Sequence, residues 1–151
     1  MVDTFKSFIH RDDDPEEKKE NNAISLVVKI IYGETTFLFT GDIEKDTEQT
    51  LISSGFDLKA DVLKVAHHGS SSSSSYDFLT EISPKYAVIS CGEGNSYGHP
   101  ERATLDELKG MDIELYRTDL QGTIICHSDG HTITFETEKT AKSNVFTTSE
   151  K

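Results

Sequence analysis

The chain has 151 residues, with 27 acidic against 15 basic side chains and a net charge of −12 at pH 7. That length suits one domain with a real core and no need of disulfide or metal staples, and no apolar run approaches the ~20 residues that cross a bilayer as a helix. The acidic balance repels phosphate backbones at long range, so binding a nucleic acid would need a metal to overcome it.

Residues 1–10 lack the basic-then-apolar pattern of an export signal, which makes the cytoplasm the default location. Residues 11–20, Arg-Asp-Asp-Asp-Pro-Glu-Glu-Lys-Lys-Glu, hold no large apolar side chain and read as a solvated acidic loop that closes an N-terminal segment, residues 1–20. The folded domain is expected over residues 21–136 and a flexible tail over 137–151. Runs rich in branched and aromatic residues predict strands at 24–32 and 35–40, joined by the Gly33-Glu34 turn. A helical pattern follows over 44–53, with Gly55 as its stop. Residues 61–66 predict a strand ending in His67-His68-Gly69, and Ser70 to Ser75 a flexible connection. A helix over 76–82 stops before Pro84. The second half repeats the alternation. A strand at 86–91 leads to a glycine-bearing loop at 92–98, a helix opened by Pro100 and closed by Gly110, and a strand at 113–117. Strands at 123–127 and 132–135 flank Ser128-Asp129-Gly130-His131, whose Asp-Gly pair favours a type I′ turn. Cys91 and Cys126 sit in apolar runs and are expected as free, buried thiols. Strands interleaved with helices, with hairpins at both ends, predict an α/β layered domain with a mixed sheet.

Three strand ends carry polar chemistry, and in layered α/β folds that is where binding residues collect. Phe39-Thr40-Gly41-Asp42 delivers a carboxylate beside a glycine. Asp42 either bridges a pair of metal ions or caps the following helix. Val65-Ala66-His67-His68-Gly69-Ser70 closes a strand with two imidazoles, one of which can face a given site if the chain is extended. These are either metal ligands or an ordinary surface pair. His99, in Tyr97-Gly98-His99-Pro100, is either the cap of the next helix or part of the site. The serine run lacks the Gly-x-Ser-x-Gly elbow of a nucleophile.

Taken together, Phe-Leu-Phe-Thr-Gly-Asp at 37–42, Ala-Asp-Val-Leu-Lys-Val-Ala-His-His-Gly-Ser at 60–70, Pro-Lys-Tyr-Ala-Val-Ile-Ser at 84–90, Tyr-Gly-His-Pro at 97–100, and Tyr-Arg-Thr-Asp at 116–119 with Gly-Thr-Ile at 122–124 resemble the C-terminal half of a metallo-β-lactamase-fold hydrolase. The hydrolase domain of ComEC-type competence proteins and its stand-alone relatives look most similar. The likeness runs from about Asn21 to Phe135, and the order of five separate motifs makes it specific. It implies half of an αβ/βα sandwich, a mixed β-sheet with flanking helices, and a site for two zinc or manganese ions at the sheet edge. By this resemblance Asp42 bridges the metals and His68 is the favoured ligand, because the His-Gly step matches the family's motif, with His67 beside it. His99 matches a position near the site where substrate contact or proton transfer is expected. In the family a metal-bound hydroxide attacks the substrate, and for the competence-type relatives the resemblance implies a phosphodiester, DNA in particular, in competence and DNA uptake.

One departure is large. The family's first half carries His-x-His-x-Asp-His, which supplies most of the metal ligands. This sequence has no such motif, and of its six histidines only His10 precedes Asp42. The chain therefore reads as half an enzyme, expected to pair with a missing N-terminal half or with a second copy through an exposed sheet face. The competing expectation is a non-catalytic metallo-β-lactamase-like module acting in protein interaction.

Overall fold

A computed structural model describes residues 2–5, 25–141 and 144–148. The acidic loop at 11–20 and the start of the expected strand at 24 lie outside them.

Thirteen described segments alternate much as the hydrophobic pattern predicts. Strand β1 (Val2–Phe5), β2 (Val27–Tyr32) and β3 (Thr35–Phe39) precede helix α1 (Lys45–Ser53), β4 (Val62–Lys64) and a 3-10 turn at Ala66–Gly69. Helix α2 (Tyr76–Ile82), β5 (Tyr86–Ile89), α3 (Arg102–Gly110), β6 (Glu114–Arg117), the short α4 (Thr118–Gln121), β7 (Ile124–Ser128) and β8 (Ile133–Thr137) follow. The first six strands form one sheet in sequence order, and β7 and β8 pair separately. Pairing is antiparallel from β1 to β3 and parallel from β3 to β6, so the sheet is mixed, as expected. Strand β1 was not anticipated. It adds the first residues of the chain to the sheet edge, Val2 opposite Ile30, so the N-terminal segment is not wholly separate from the domain.

Register explains the layering. Leu38, Leu63, Ala87 and Leu115 are cross-strand neighbours on one face. All are nearly inaccessible, in one cluster with Leu51 of α1, Phe78, Leu79 and Ile82 of α2, and Leu105 and Leu108 of α3. Burying a side chain of this size contributes about 1.5–3 kcal/mol. The opposite face carries Phe37, Val62 and Tyr86 in register. There Phe135 of β8 stacks on Tyr116 at 4.1 Å and contacts Tyr86 at 5.1 Å. The hairpin thus covers the β5–β6 end of this face. Phe39 and Tyr32, farther along it, remain 44% and 55% exposed.

Two turns show why glycine stands where it does. Gly33 has a φ of +59°, and a Cβ there would meet the Gly130 carbonyl oxygen at 2.4 Å; the Glu34 amide donates to that same oxygen at 2.6 Å. The β7–β8 connection differs from the expected type I′ turn. Ser128 pairs directly with Ile133, leaving residues 129–132 as the loop. The Asp129 carboxylate accepts the amides of His131 and Thr132 at 2.9 and 2.7 Å, an Asx arrangement that competes with the tight turn.

Three further expectations are corrected. The serine run is not a loose connection. Ser70, Ser73 and Ser74 are buried, the Ser73 hydroxyl donates to the Ile43 carbonyl at 2.7 Å, and the fully buried Glu48 carboxylate accepts the amides of Ser74 and Ser75. Short polar side chains are what this buried crossing over α1 requires. Beyond β8 the described residues, 138–141 and 144–148, are held rather than frayed. Glu138 and Lys139 donate backbone bonds to Thr123 and Gln121, and Val145 and Phe146 pack against the core. Cys91 is half-buried but Cys126 is exposed, because β7 lies in the outer two-stranded sheet.

Candidate functional site

The parallel strands β3, β4 and β5 all end on one side of the sheet, and there the polar segments meet. After β3, the buried Thr40 hydroxyl donates to the Lys64 carbonyl at 2.7 Å, tying the Gly41-Asp42 turn to β4. The Asp42 amide donates to Ser25 Oγ at 3.2 Å. Asp42 does not cap α1, since the cap position belongs to Glu44. After β4 the chain turns sharply. His67 (φ 47°, ψ 43°) and His68 (φ 56°, ψ 20°) are both left-handed, a conformation that costs L-residues about 1–2 kcal/mol each. The extended-chain expectation, with the two imidazoles on opposite sides, is therefore corrected. Gly69 continues the turn at φ +84°, where a Cβ would meet Pro100 Cβ at 2.7 Å, so the His-His-Gly step packs directly on the His-Pro step.

The turn aims both histidines at carboxylates. His68 Nδ1 lies 2.6 Å from the Ser90 carbonyl oxygen, so Nδ1 donates to it, and in the neutral imidazole the lone pair is then on Nε2. That Nε2 is 3.8 Å from Asp42 Oδ1, with both side chains about half exposed. His67 Nδ1 lies 3.7 Å from Glu44 Oε1 and 3.3 Å from the Ser72 hydroxyl. His99 stands behind them, its ring centroid 5.8 Å from that of His67. His99 is not a helix cap either, because Glu101 occupies that position. His99 Nδ1 is buried without a hydrogen-bond partner, its closest carboxylate oxygen, on Glu101, being 3.9 Å away. Burial pushes the His99 imidazole below its ordinary pKa, with His67 and His68 adding to the effect and Glu101 and Asp42 opposing it.

Sequence reasoning missed four residues here. The Ser90 carbonyl orients His68. The Asn95 side chain fastens the His99 backbone, accepting from its amide at 3.0 Å and donating to its carbonyl at 2.6 Å. Tyr97 stacks on His99 with ring planes 10° apart. Glu101 accepts from the Ser71 amide and hydroxyl at 3.0 and 2.8 Å. Only the glycine-bearing loop and the Pro100 step hinted at them: Ser90 and Glu101 act through contacts distant in sequence, and Asn95 and Tyr97 act on His99 through a loop conformation that carries no local signal. Ser90, Asn95 and Tyr97, with His68 and His99, line a cleft of about 320 Å³.

Glu101 gives a pH signature. The Ser71 amide and hydroxyl, then the Ser70 hydroxyl, hold its carboxyl below the usual range against the opposing effect of burial. The stability it contributes is complete above its ordinary unfolded value and is lost as pH falls through the lower folded value. Glu101→Gln is expected to flatten the acid side of the stability–pH curve in thermal melts. An acid slope identical to that of the parent chain contradicts this.

The donors fit a metal in spacing and not in number. With zinc–ligand bonds of about 2.0–2.1 Å, two ligands of a tetrahedral ion lie roughly 3.3–3.4 Å apart, close to the Asp42–His68 separation of 3.8 Å. A catalytic zinc takes three protein ligands, yet among the described residues no three His, Cys, Asp or Glu side chains group closely enough to hold a metal ion. Asp42 and His68 by themselves do not make up such a set. Among the described residues, no helix is long and apolar enough to cross a membrane.

Comparison with known proteins follows the same residues. The family model for the metallo-beta-lactamase superfamily matches residues 22–93, a span that contains Asp42, His67 and His68. ComE operon protein 3 of Bacillus subtilis (strain 168) is 42% identical over 110 residues, covering 73% of this chain and 14% of that protein. Competence protein ComA of Neisseria gonorrhoeae is 40% identical over 113 residues, 73% of this chain and 16% of its own length. Recombination protein 2 of Haemophilus influenzae is 31% identical over 106 residues, 70% of this chain and 13% of its own. The aligned part thus accounts for about a seventh of each relative's length.

Proposed function

The chain belongs to the metallo-beta-lactamase superfamily as a relative of ComEC-type competence proteins, and from that premise we propose that it forms the C-terminal half of a metal-dependent hydrolase acting on phosphodiesters, DNA in particular, in competence-linked DNA uptake. The observation that carries this reading is the orientation of His68. Its Nδ1 bond to Ser90 leaves Nε2 free beside Asp42, with both groups accessible at the end of the sheet. In this reading Asp42 and His68 are donors to zinc or manganese, and the remaining donors come from outside this chain, from a further stretch of a longer protein or from another chain. His67 lies beside them, its Nδ1 3.7 Å from Glu44 Oε1. His99, which burial biases toward the neutral form, contacts substrate or moves a proton through its unpartnered nitrogen. The exposed Phe39 and Tyr32 face is where a completing half or a second copy packs. Hydrolysis of DNA by the completed protein, measured with Asp42→Ala and His68→Ala, tests the assignment, and turnover that survives both changes refutes it.

A second reading, a non-catalytic module that engages a protein partner, is favoured by the lack of a three-donor group among the described residues. Zinc titration separates the two. If His68 is a donor, His68→Ala weakens the chain's zinc affinity by about tenfold or more, since even the outer partners of a metal site are worth 10–100-fold. Unchanged affinity favours the module.

A further inference from the structure

We propose that Tyr97 is a stacking platform for an unpaired nucleobase of a single strand whose backbone runs past Asp42 and His68. The inference rests on the reading of this site as one that acts on DNA, and it names the form of the substrate.

Three features of the loop between β5 and α3 carry it. Tyr97 is 82% exposed, while the other exposed large apolar side chains reach at most 59%. One face of its ring lies against His99, with centroids 6.0 Å apart and planes 10° from parallel, which leaves the other face open beside the cleft. The loop backbone that carries the ring is also fastened. Asn95 Nδ2 donates to both the Gly92 and His99 carbonyls, at 2.9 and 2.6 Å, and Asn95 Oδ1 accepts the His99 amide. A loop backbone held in advance leaves only side-chain freedom to be lost when a flat ligand arrives.

Charge decides what that ligand offers. No lysine or arginine lines the cleft, and the chain's net charge is −12. Neutralisation of phosphates, which supplies most non-specific affinity for nucleic acids, is therefore weak here. Stacking of a base on an aromatic ring needs no positive charge and tolerates any base. A paired base has both faces covered, so the platform selects a single strand.

Binding of the purified chain to a fluorescent oligothymidylate, followed by anisotropy, tests this against an abasic strand with the same number of phosphates and with thymidine monophosphate as competitor. Tyr97→Ala is expected to weaken oligothymidylate binding about tenfold, Tyr97→Phe to retain it within about twofold, and the abasic strand to bind weakly and respond to neither change. The monophosphate is expected to compete poorly, because it lacks the neighbouring backbone. Equal binding of the abasic strand, no effect of Tyr97→Ala, competition by the monophosphate at equal affinity, or no binding of either strand each overturns the proposal. The two readings fail separately. Base-dependent binding combined with turnover that survives Asp42→Ala and His68→Ala leaves the platform and removes the hydrolase assignment. Loss of turnover in those variants without base-dependent binding does the reverse.

Discussion

Asp119→Ala is expected to lower the midpoint of thermal unfolding by roughly 6–20 °C, since breaking a buried ion pair costs about 3–5 kcal/mol and each kcal/mol shifts a domain of this size by about 2–4 °C. The side chains of Arg117 and Asp119 are 0% and 1% exposed. Arg117 Nε and Nη2 donate to the two carboxylate oxygens at 3.0 and 2.6 Å, a bidentate pairing. Arg117 Nη1 then reaches the Val145 and Thr147 carbonyls at 2.8 and 2.5 Å. Without Asp119 the guanidinium keeps its charge in the dry interior and retains two neutral acceptors. Arg117→Met is expected to cost a similar amount, since it strands the carboxylate and frees the docked segment at 144–148. The apolar double variant Arg117→Met with Asp119→Leu should recover most of the loss, because replacing both members of a buried pair removes the unmatched charge. Thermal melts of Arg117→Met, Asp119→Leu and their double variant beside the parent chain form a double-mutant cycle, and a coupling below about 1 kcal/mol contradicts the account. A second readout lies nearby. The Cys91 thiol is pushed up to about 12, mainly by burial and then by Asp119, so Asp119→Ala should also lower the pH at which Cys91 reacts with a thiol reagent.

Arg117 also shows where sequence reading stops. Strands rich in branched residues and helices bounded by turn residues are visible locally, which is why the expected strand at 35–40 and helix at 76–82 match β3 and α2 to within a residue. Whether a polar run is loose or fastened depends on partners far along the chain. Serines 70–75 look flexible until Glu48 and Glu101 are brought against them, and the end of the chain looks frayed until Arg117 reaches it from β6. The candidate site divides in the same way. Asp42, His68 and His99 were legible because they stand in recurrent order at strand ends. The left-handed pair at His67-His68 was not, because a histidine carries no local signal for positive φ. That backbone decides which imidazole nitrogen faces Asp42.

Under the proposed function, with the donors that the described residues do not supply, His68→Ala and Asp42→Ala are each expected to lose more than a hundredfold in DNA hydrolysis, since partners one step removed from a metal are already worth about 10–100-fold. Both side chains are nearly half exposed, so neither change should shift the thermal midpoint by more than about 1–2 °C, surface substitutions costing about 0.5 kcal/mol or less. The pairing of lost turnover with retained stability separates a donor from a packing residue. His99→Ala is expected to lose about 10²–10⁴-fold where His99 moves a proton, and less where it only contacts substrate. Ser90 acts only through its backbone carbonyl, so Ser90→Ala should leave turnover near that of the parent, although it lies within hydrogen-bond reach of the proposed donor. A strong effect of Ser90→Ala would shift the role from the carbonyl to the hydroxyl and undo the argument that fixes the His68 tautomer. Equal turnover of the parent, His68→Ala and Asp42→Ala would remove both residues from the chemistry and leave their approach at 3.8 Å as an ordinary surface ion pair, worth about 0–1 kcal/mol.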